Sequence, residues 1–172
     1  MLMAPLVRRS WAPAGQTPIL FQRTRAHQKV SVIAALCVAP TRDRVRLYFR
    51  LHQNANITTP HVCGFLGQLS RQLGEPIALI WDRLTAHRSK RTQAFLERHR
   101  EIHTAFLPPY APELNPVEGL WSYLKMNPMA NMALFDVESL ARTARRHARS
   151  VQRKERLLRA FFRHCGLSLR IV

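Results

Sequence analysis

The stretch from Ile102 to Lys125 constrains this chain more than any other. It opens as a short strand over Thr104–Leu107 that must stop at Pro108-Pro109, since proline has no amide hydrogen to give a sheet. A proline-stiffened loop runs through Tyr110, Ala111, Pro112, Glu113 and Leu114. The chain restarts as a helix at Asn115-Pro116. Asparagine suits the N-cap, and proline at the first helical position lacks only an amide that no helical carbonyl would have accepted. Glu118 then falls at the third helical position. Two readings stay open there. One is a capping box in which its carboxylate accepts from the Asn115 amide; the other is a carboxylate fixed at the mouth of a strand–loop–helix unit to hold a divalent cation.

A second acid bears on that choice. Pro76-Ile77-Ala78-Leu79-Ile80-Trp81-Asp82 is an apolar run ending in a carboxylate. Such a run predicts a strand buried on both faces of a helix-flanked sheet. Open α/β sheets bind ligands beyond the carboxyl ends of their strands, where Asp82 falls. The plain alternative is an aspartate that makes a turn.

Upstream, Trp11-Ala12-Pro13-Ala14-Gly15-Gln16-Thr17-Pro18 reads as a turn-rich loop in which Trp11 packs over a sheet edge or, less simply, stacks on a base. Lys29–Val38 predicts a buried strand, and Pro40-Thr41-Arg42-Asp43 a turn. Arg44–Leu51 alternates Val45, Leu47, Phe49 and Leu51 with polar residues, the pattern of a half-buried antiparallel partner. From Thr58 a helix is expected to about Leu73, its apolar face built by Val62, Phe65, Leu66, Leu69 and Leu73 and ended by Gly74. Ser89 suits the cap of a helix to about Arg98, with Ala94, Phe95 and Leu96 as core candidates. After Asn115, Val117, Leu120, Trp121 and Leu124 face the core, and Met126, Met129 and Met132 pack a loop onto it. The elements alternate as in an α/β domain with a mixed sheet flanked by helices.

Charge narrows the class of partner. Lys and Arg number 27 against 10 Asp and Glu, a net charge of +17, which favours a polyanion and salt-sensitive binding. From Asp136 an apolar line runs through Val137, Leu140, Ala141, Ala144, Ala148, Val151, Leu158, Phe162 and Cys165, as one long helix or as two broken near Ser150. Between Arg142 and Arg163 nine Lys and Arg face one acid, Glu155. The basic side is either a solvated face or a track for a nucleic-acid backbone, with Arg142, Arg145, Arg146, Arg149 and Arg153 as the contacts. No apolar run is long enough to span a membrane. Cys37, Cys63 and Cys165 lack metal-ligand spacing, and a scattered odd number suits a reducing compartment.

Taken together, LIWDRLTAHRS (79–89) and FLPPYAPELNPVEGLWSYLK (106–125) resemble the DDE transposase domain of the IS630/Tc1/mariner superfamily. The resemblance implies a ribonuclease H-like fold, with Asp82 as the second acid of a catalytic triad and Glu118 as the third. The 35 residues between them fall in the expected range. It also implies Mg²⁺ or Mn²⁺ held by those acids, DNA as partner and DNA transposition as function, in the bacterial cytoplasm at the nucleoid. His87 then contacts a scissile phosphate or orients Asp82, unless it is a structural histidine in a tight turn, and Lys125 reaches phosphate or favours the later turns of its helix.

The same resemblance places a first aspartate on a central strand just before the Trp11 loop, yet no acid precedes Asp43. Asp43 belongs to a hairpin tip, so the expectation is a domain whose first strand is missing or incomplete and which is inactive alone. On this reading residues 1–135 are a partial DDE domain and 136–172 its basic helical extension. Met1–Val7, a homo-oligomer or a complementing N-terminal polypeptide would fill the gap. The alternative function is a non-catalytic basic DNA-binding remnant.

Overall fold

The apolar run over Lys29–Val38 and the alternation over Arg44–Leu51 produce the hairpin they predict. Val30–Val38 (β1) pairs antiparallel with Val45–Gln53 (β2), Val30 opposite Gln53 and Val38 opposite Val45. The computed structural model describes residues 6–17, 19, 28–132, 134 and 136–169. Asp43 lies at the hairpin tip, where it accepts from the Thr41 hydroxyl, as a turn residue should.

Helix α1, Thr59–Leu73, buries Val62, Phe65, Leu66 and Leu69 and ends on Gly74 at φ 67°. That left-handed conformation suits glycine, and the Gly74 amide donates back to the Ser70 carbonyl at 2.9 Å. Ile77–Trp81 (β3) then pairs in parallel with Ile102–Phe106 (β4), Ile77 opposite Ile102 and Trp81 opposite Phe106. The crossover carries a four-residue helix, Thr85–Arg88 (α2), and Lys90–Arg98 (α3), whose N-cap is Ser89. Nothing in the residue pattern signals α2. Ala94 turns outward, and the buried position of α3 is Thr92, whose hydroxyl donates to the Ala86 carbonyl at 2.6 Å. A buried hydroxyl with a partner is as acceptable in a core as an alanine.

One mixed sheet was the expectation; the described strands form two sheets, β1–β2 and β3–β4. No described strand pairs with the second edge of β1 or of β3. Odd-numbered Ile33 of β1 packs with Val62, Leu66, Trp81 and Ile102, so α1 covers both sheets on one side. Strand β3 is not buried on both faces: Ala78 is exposed and Ile80 is 66% exposed, because no described element covers that side.

The C-terminal half packs on the other face of β1–β2. Helix α4 is Pro116–Met126, α5 is Val137–Gln152 and α6 is Glu155–His164. Val45, Leu47, Leu120, Leu124, Val151, Leu158, Phe161 and Phe162 form one core cluster, and Val30, Met129, Val137, Leu140, Ala141 and Ala144 a second. Of the three methionines expected to pack here, Met129 joins a core cluster, while Met126, the last residue of α4, stays 41% exposed. Phe161 had no place in the apolar line, yet it sits under α4: a Cβ on Gly119 would lie 2.9 Å from its Cδ1. The basic region is two helices, broken at Arg153-Lys154, three residues later than expected. A straight helix over the whole segment would run about 40 Å, longer than the roughly 30 Å that nine strand residues provide. The bend lets Val151 and Leu158 enter the same core.

Asp136 caps α5, its Oδ1 accepting from the Ser139 amide at 2.6 Å, which holds the carboxyl below its ordinary range. Burial pushes the Cys37 thiol up to about 11, in keeping with a packed side chain. Of the N-terminal segment, residues 1–5 lie outside the described set. Beyond them, the Leu6 carbonyl accepts from the Asn131 amide at 3.0 Å and the Arg8 amide donates to Asn131 Oδ1 at 2.7 Å. Trp11 is 100% exposed and packs over no sheet edge. No described helix is long and apolar enough to cross a membrane.

Glu101 gives a pH signature. The His99 ring, its own backbone amide and the Ser70 hydroxyl at 2.8 Å hold its carboxyl at about 2 instead of 4.5. A depressed folded-state pKa stabilises above the unfolded value and is lost as pH falls through the folded one. Glu101→Gln should therefore melt below wild type at neutral pH, with the gap closing between about pH 4.5 and 2. Parallel thermal melts across that window check it; a gap that stays constant into acid would contradict it.

Candidate functional site

The end of β3 is a tightly tied turn. Asp82 Oδ1 accepts from the Leu84 amide at 3.0 Å and lies 2.8 Å from His87 Nδ1. The same ring nitrogen is 3.2 Å from the Asp82 carbonyl. Both neighbours are acceptors, so Nδ1 carries the hydrogen and Nε2 is left as the ring's second nitrogen. The imidazole stacks on Trp81 with ring centres 4.4 Å apart and only 12° between planes. Its side chain is 16% exposed, whereas that of Asp82 is 52% exposed. Short helix α2 is what delivers His87 to this position, five residues after the acid it touches.

From here the chain is tied to the loop that leads to Glu118. The Leu107 amide donates to the Trp81 carbonyl at 2.8 Å, extending the parallel ladder by one bond. Arg83 Nε donates to the Leu107 carbonyl at 3.3 Å, and the guanidinium lies 5.5 Å from the centre of the Phe106 ring. Arg83 thus clamps the acid's turn to the proline loop, a role not foreseen from the residue pattern. Its position directly after a strand-end aspartate was the available signal.

The loop continues through a 3-10 turn, Pro112–Leu114, to Asn115. Asn115 Oδ1 accepts from the Val117 amide at 3.2 Å, as an N-cap should. The capping-box alternative fails: among the described residues the Glu118 side chain has no hydrogen-bond partner, and its carboxylate is exposed. Lys125 is also exposed, seven residues on and so about 10.5 Å further along the same face of α4.

The structure therefore joins Asp82 to His87, while no described bond links Asp82 to Glu118 or Lys125 to either. Helix α4 packs on α6, β1 and α5, whereas Asp82 belongs to the β3–β4 pair. Among the described residues no group of three or more His, Cys, Asp or Glu is placed to hold a metal ion. With one Asp82 oxygen already engaged by two donors, the residues present do not fit a two-ion centre by themselves.

Both readings of the basic side, a solvated face or a nucleic-acid track, require exposed arginines on α5 and at its C-cap. Arg142, Arg145, Arg146, Arg149 and Arg153 are all exposed, on the side opposite Leu140, Ala144, Ala148 and Val151. Arg142 pairs with Glu138 at 3.0 Å, both well exposed, a contact worth little in stability. Arg159 of α6 is different: half-buried, it bonds Glu155 and the Arg42 and Asp43 carbonyls and pins α6 to the hairpin tip.

Comparison with known proteins agrees with this architecture. The family model for DDE superfamily endonucleases matches residues 3–141. No curated protein matches the chain. Among solved structures the chain is similar to the Mos1 strand transfer complex, with a TM-score of 0.66 and 17% identity over 96% of this chain. It spans about half (49%) of that chain's length. The proline-framed loop, the strand-end acid and the matched family model converge on one assignment: the chain belongs to the DDE superfamily of endonucleases.

Proposed function

We propose that the chain acts in DNA transposition as part of a transposase-type DNA endonuclease and strand-transfer unit, with Asp82 and Glu118 as the second and third acids. The observation that carries this reading is the tie between the Asp82 turn and the loop to Glu118, through Leu107 to Trp81 and Arg83 to Leu107. His87 keeps the Asp82 carboxylate in place. Residues 1–135 are the DDE unit and residues 136–172 its basic helical extension, whose exposed arginines meet the DNA backbone. The similar solved structure, a strand transfer complex, supports DNA as the partner.

Joined by a further carboxylate, Asp82 and Glu118 would hold Mg²⁺ or Mn²⁺, which would supply Lewis-acid chemistry at a phosphodiester. Here a further carboxylate is needed. The separate β1–β2 and β3–β4 sheets support a place for one more strand between them, carrying that acid at its end. A complementing polypeptide or a second copy of the chain would supply it.

A second reading, a non-catalytic basic DNA-binding remnant, is favoured by the absence of a three-donor cluster among the described residues. Plasmid nicking with Mg²⁺ or Mn²⁺ separates the two. On the catalytic reading, nicking appears when an apolar strand peptide ending in aspartate is added, and returns to background in Asp82→Asn or Glu118→Gln. If wild type and both variants are equally inert with the peptide while DNA binding persists, the remnant reading stands instead.

A further inference from the structure

Tyr110, at the tip of the loop between β4 and α4, is 101% exposed and has φ 57°. Bulky side chains rarely adopt that left-handed conformation. Of the other described non-glycine residues at positive φ, Asn54 and Asn131 are of a type that tolerates it, and Arg42 sits at a hairpin tip. Packing does not account for Tyr110, because its side chain touches no core. The loop is nevertheless stiff: Pro108, Pro109 and Pro112 restrict it from both sides. It is also anchored at each end, by the Leu107–Trp81 bond and by the Asn115 amide donating to the Pro112 carbonyl at 3.0 Å.

Its neighbours along the rim are already engaged. Trp81 stacks on His87, and Phe106 lies 6.0 Å from Trp81 with Arg83 over its ring. Both faces of the Tyr110 ring are open. Only Pro108 and Pro109 separate Tyr110 from Leu107, so its Cα lies at most about 11 Å from the residue bonded beside Asp82. Leu84 and Phe106, also near that acid, are 49% and 37% exposed, which makes the rim apolar and aromatic in a chain of net charge +17.

We propose that Tyr110 is a stacking platform for an unpaired nucleobase of a DNA strand whose phosphate lies at Asp82. It is a positioning and specificity residue, selecting strand ends over intact duplex. Duplex bases are already stacked on one another, whereas an unpaired base offers a free face to an aromatic ring without regard to sequence. The inference rests on DNA being the partner, as proposed above, and adds which part of the DNA this rim reads.

The test is binding by the whole chain of a short duplex, blunt or with a single-stranded 3′ overhang containing a fluorescent adenine analogue. Wild type should bind the overhang more tightly and quench the analogue. Tyr110→Ala should bind the overhang about five- to 150-fold more weakly and leave blunt binding unchanged, the range expected for loss of one base–aromatic stack. Tyr110→Phe should retain both the affinity and the quenching, since the ring and not the hydroxyl is used. Circular dichroism confirms that each variant is folded. Equal weakening on both DNAs, or no change on either, would overturn the inference while leaving DNA as the partner. Failure of wild type to bind either DNA would overturn both.

Discussion

Leu158→Ala is expected to destabilise the chain by about 2–5 kcal/mol, the range for removing a fully buried leucine with incomplete collapse around the cavity. At this chain length that lowers the melting temperature by roughly 4–20 °C. Leu158 has no exposed surface and lies between β2 and α4, in one cluster with Val45, Leu47, Leu120, Leu124 and Val151. Collapse is resisted on every side. The hairpin is cross-linked through its full register, and Arg159 next in sequence pins α6 to the hairpin tip. Gly119 is already in close contact with Phe161, so α4 has no room to shift toward α6. Because α4 carries Glu118, the cavity should also loosen the placement of that carboxylate. Chemical denaturation of wild type and variant measures the effect. A loss under 1 kcal/mol would mean that α6 is not seated on the sheet as described.

Replacing Arg142, Arg145, Arg146, Arg149 and Arg153 together by alanine should change DNA binding more than any other surface substitution. Each phosphate contact adds about 0.9 to the slope of log affinity against log salt, so five lost contacts flatten it by roughly 4.5. Between 50 and 200 mM salt, wild type should therefore lose roughly 500-fold more affinity than the variant does. The side chains are exposed and lie away from the α5 core face, so the fold should be kept. Duplex titrations over a salt series provide the slope. If it is unchanged, the basic side of α5 is a solvated face and the backbone track lies elsewhere.

Several features were legible because they depend on neighbours in the chain. Asn115 caps α4, Ser89 caps α3 and Gly74 ends α1, since a cap needs only the right side chain at the right offset. The hairpin follows from two-residue alternation, and the faces of α1 and α5 from spacings of three and four. Other features were not legible. Helix α2 is four residues long, too short for any periodicity to show. Thr92 in place of Ala94 depends on where the Ala86 carbonyl happens to point. Burial of β3 on one face alone depends on what lies across from it, which no residue of β3 encodes. Arg83 and Tyr110 gain meaning only from the bond partners and the backbone angle that the fold imposes.

The amino-acid order alone determined the local grammar: a strand-end Asp82, a proline-framed loop, a capped helix with Glu118 in its first turn, and a basic helical tail. These follow from hydrogen-bonding and dihedral preferences acting over a few residues. Only the tertiary structure decided that His87 locks onto Asp82, that the basic tail bends at Arg153, and that among the described residues Glu118 makes no capping bond and the strands lie in two sheets. Each of those outcomes is set by contacts between segments far apart in the chain, where packing geometry and the supply of hydrogen-bond partners outweigh any local preference.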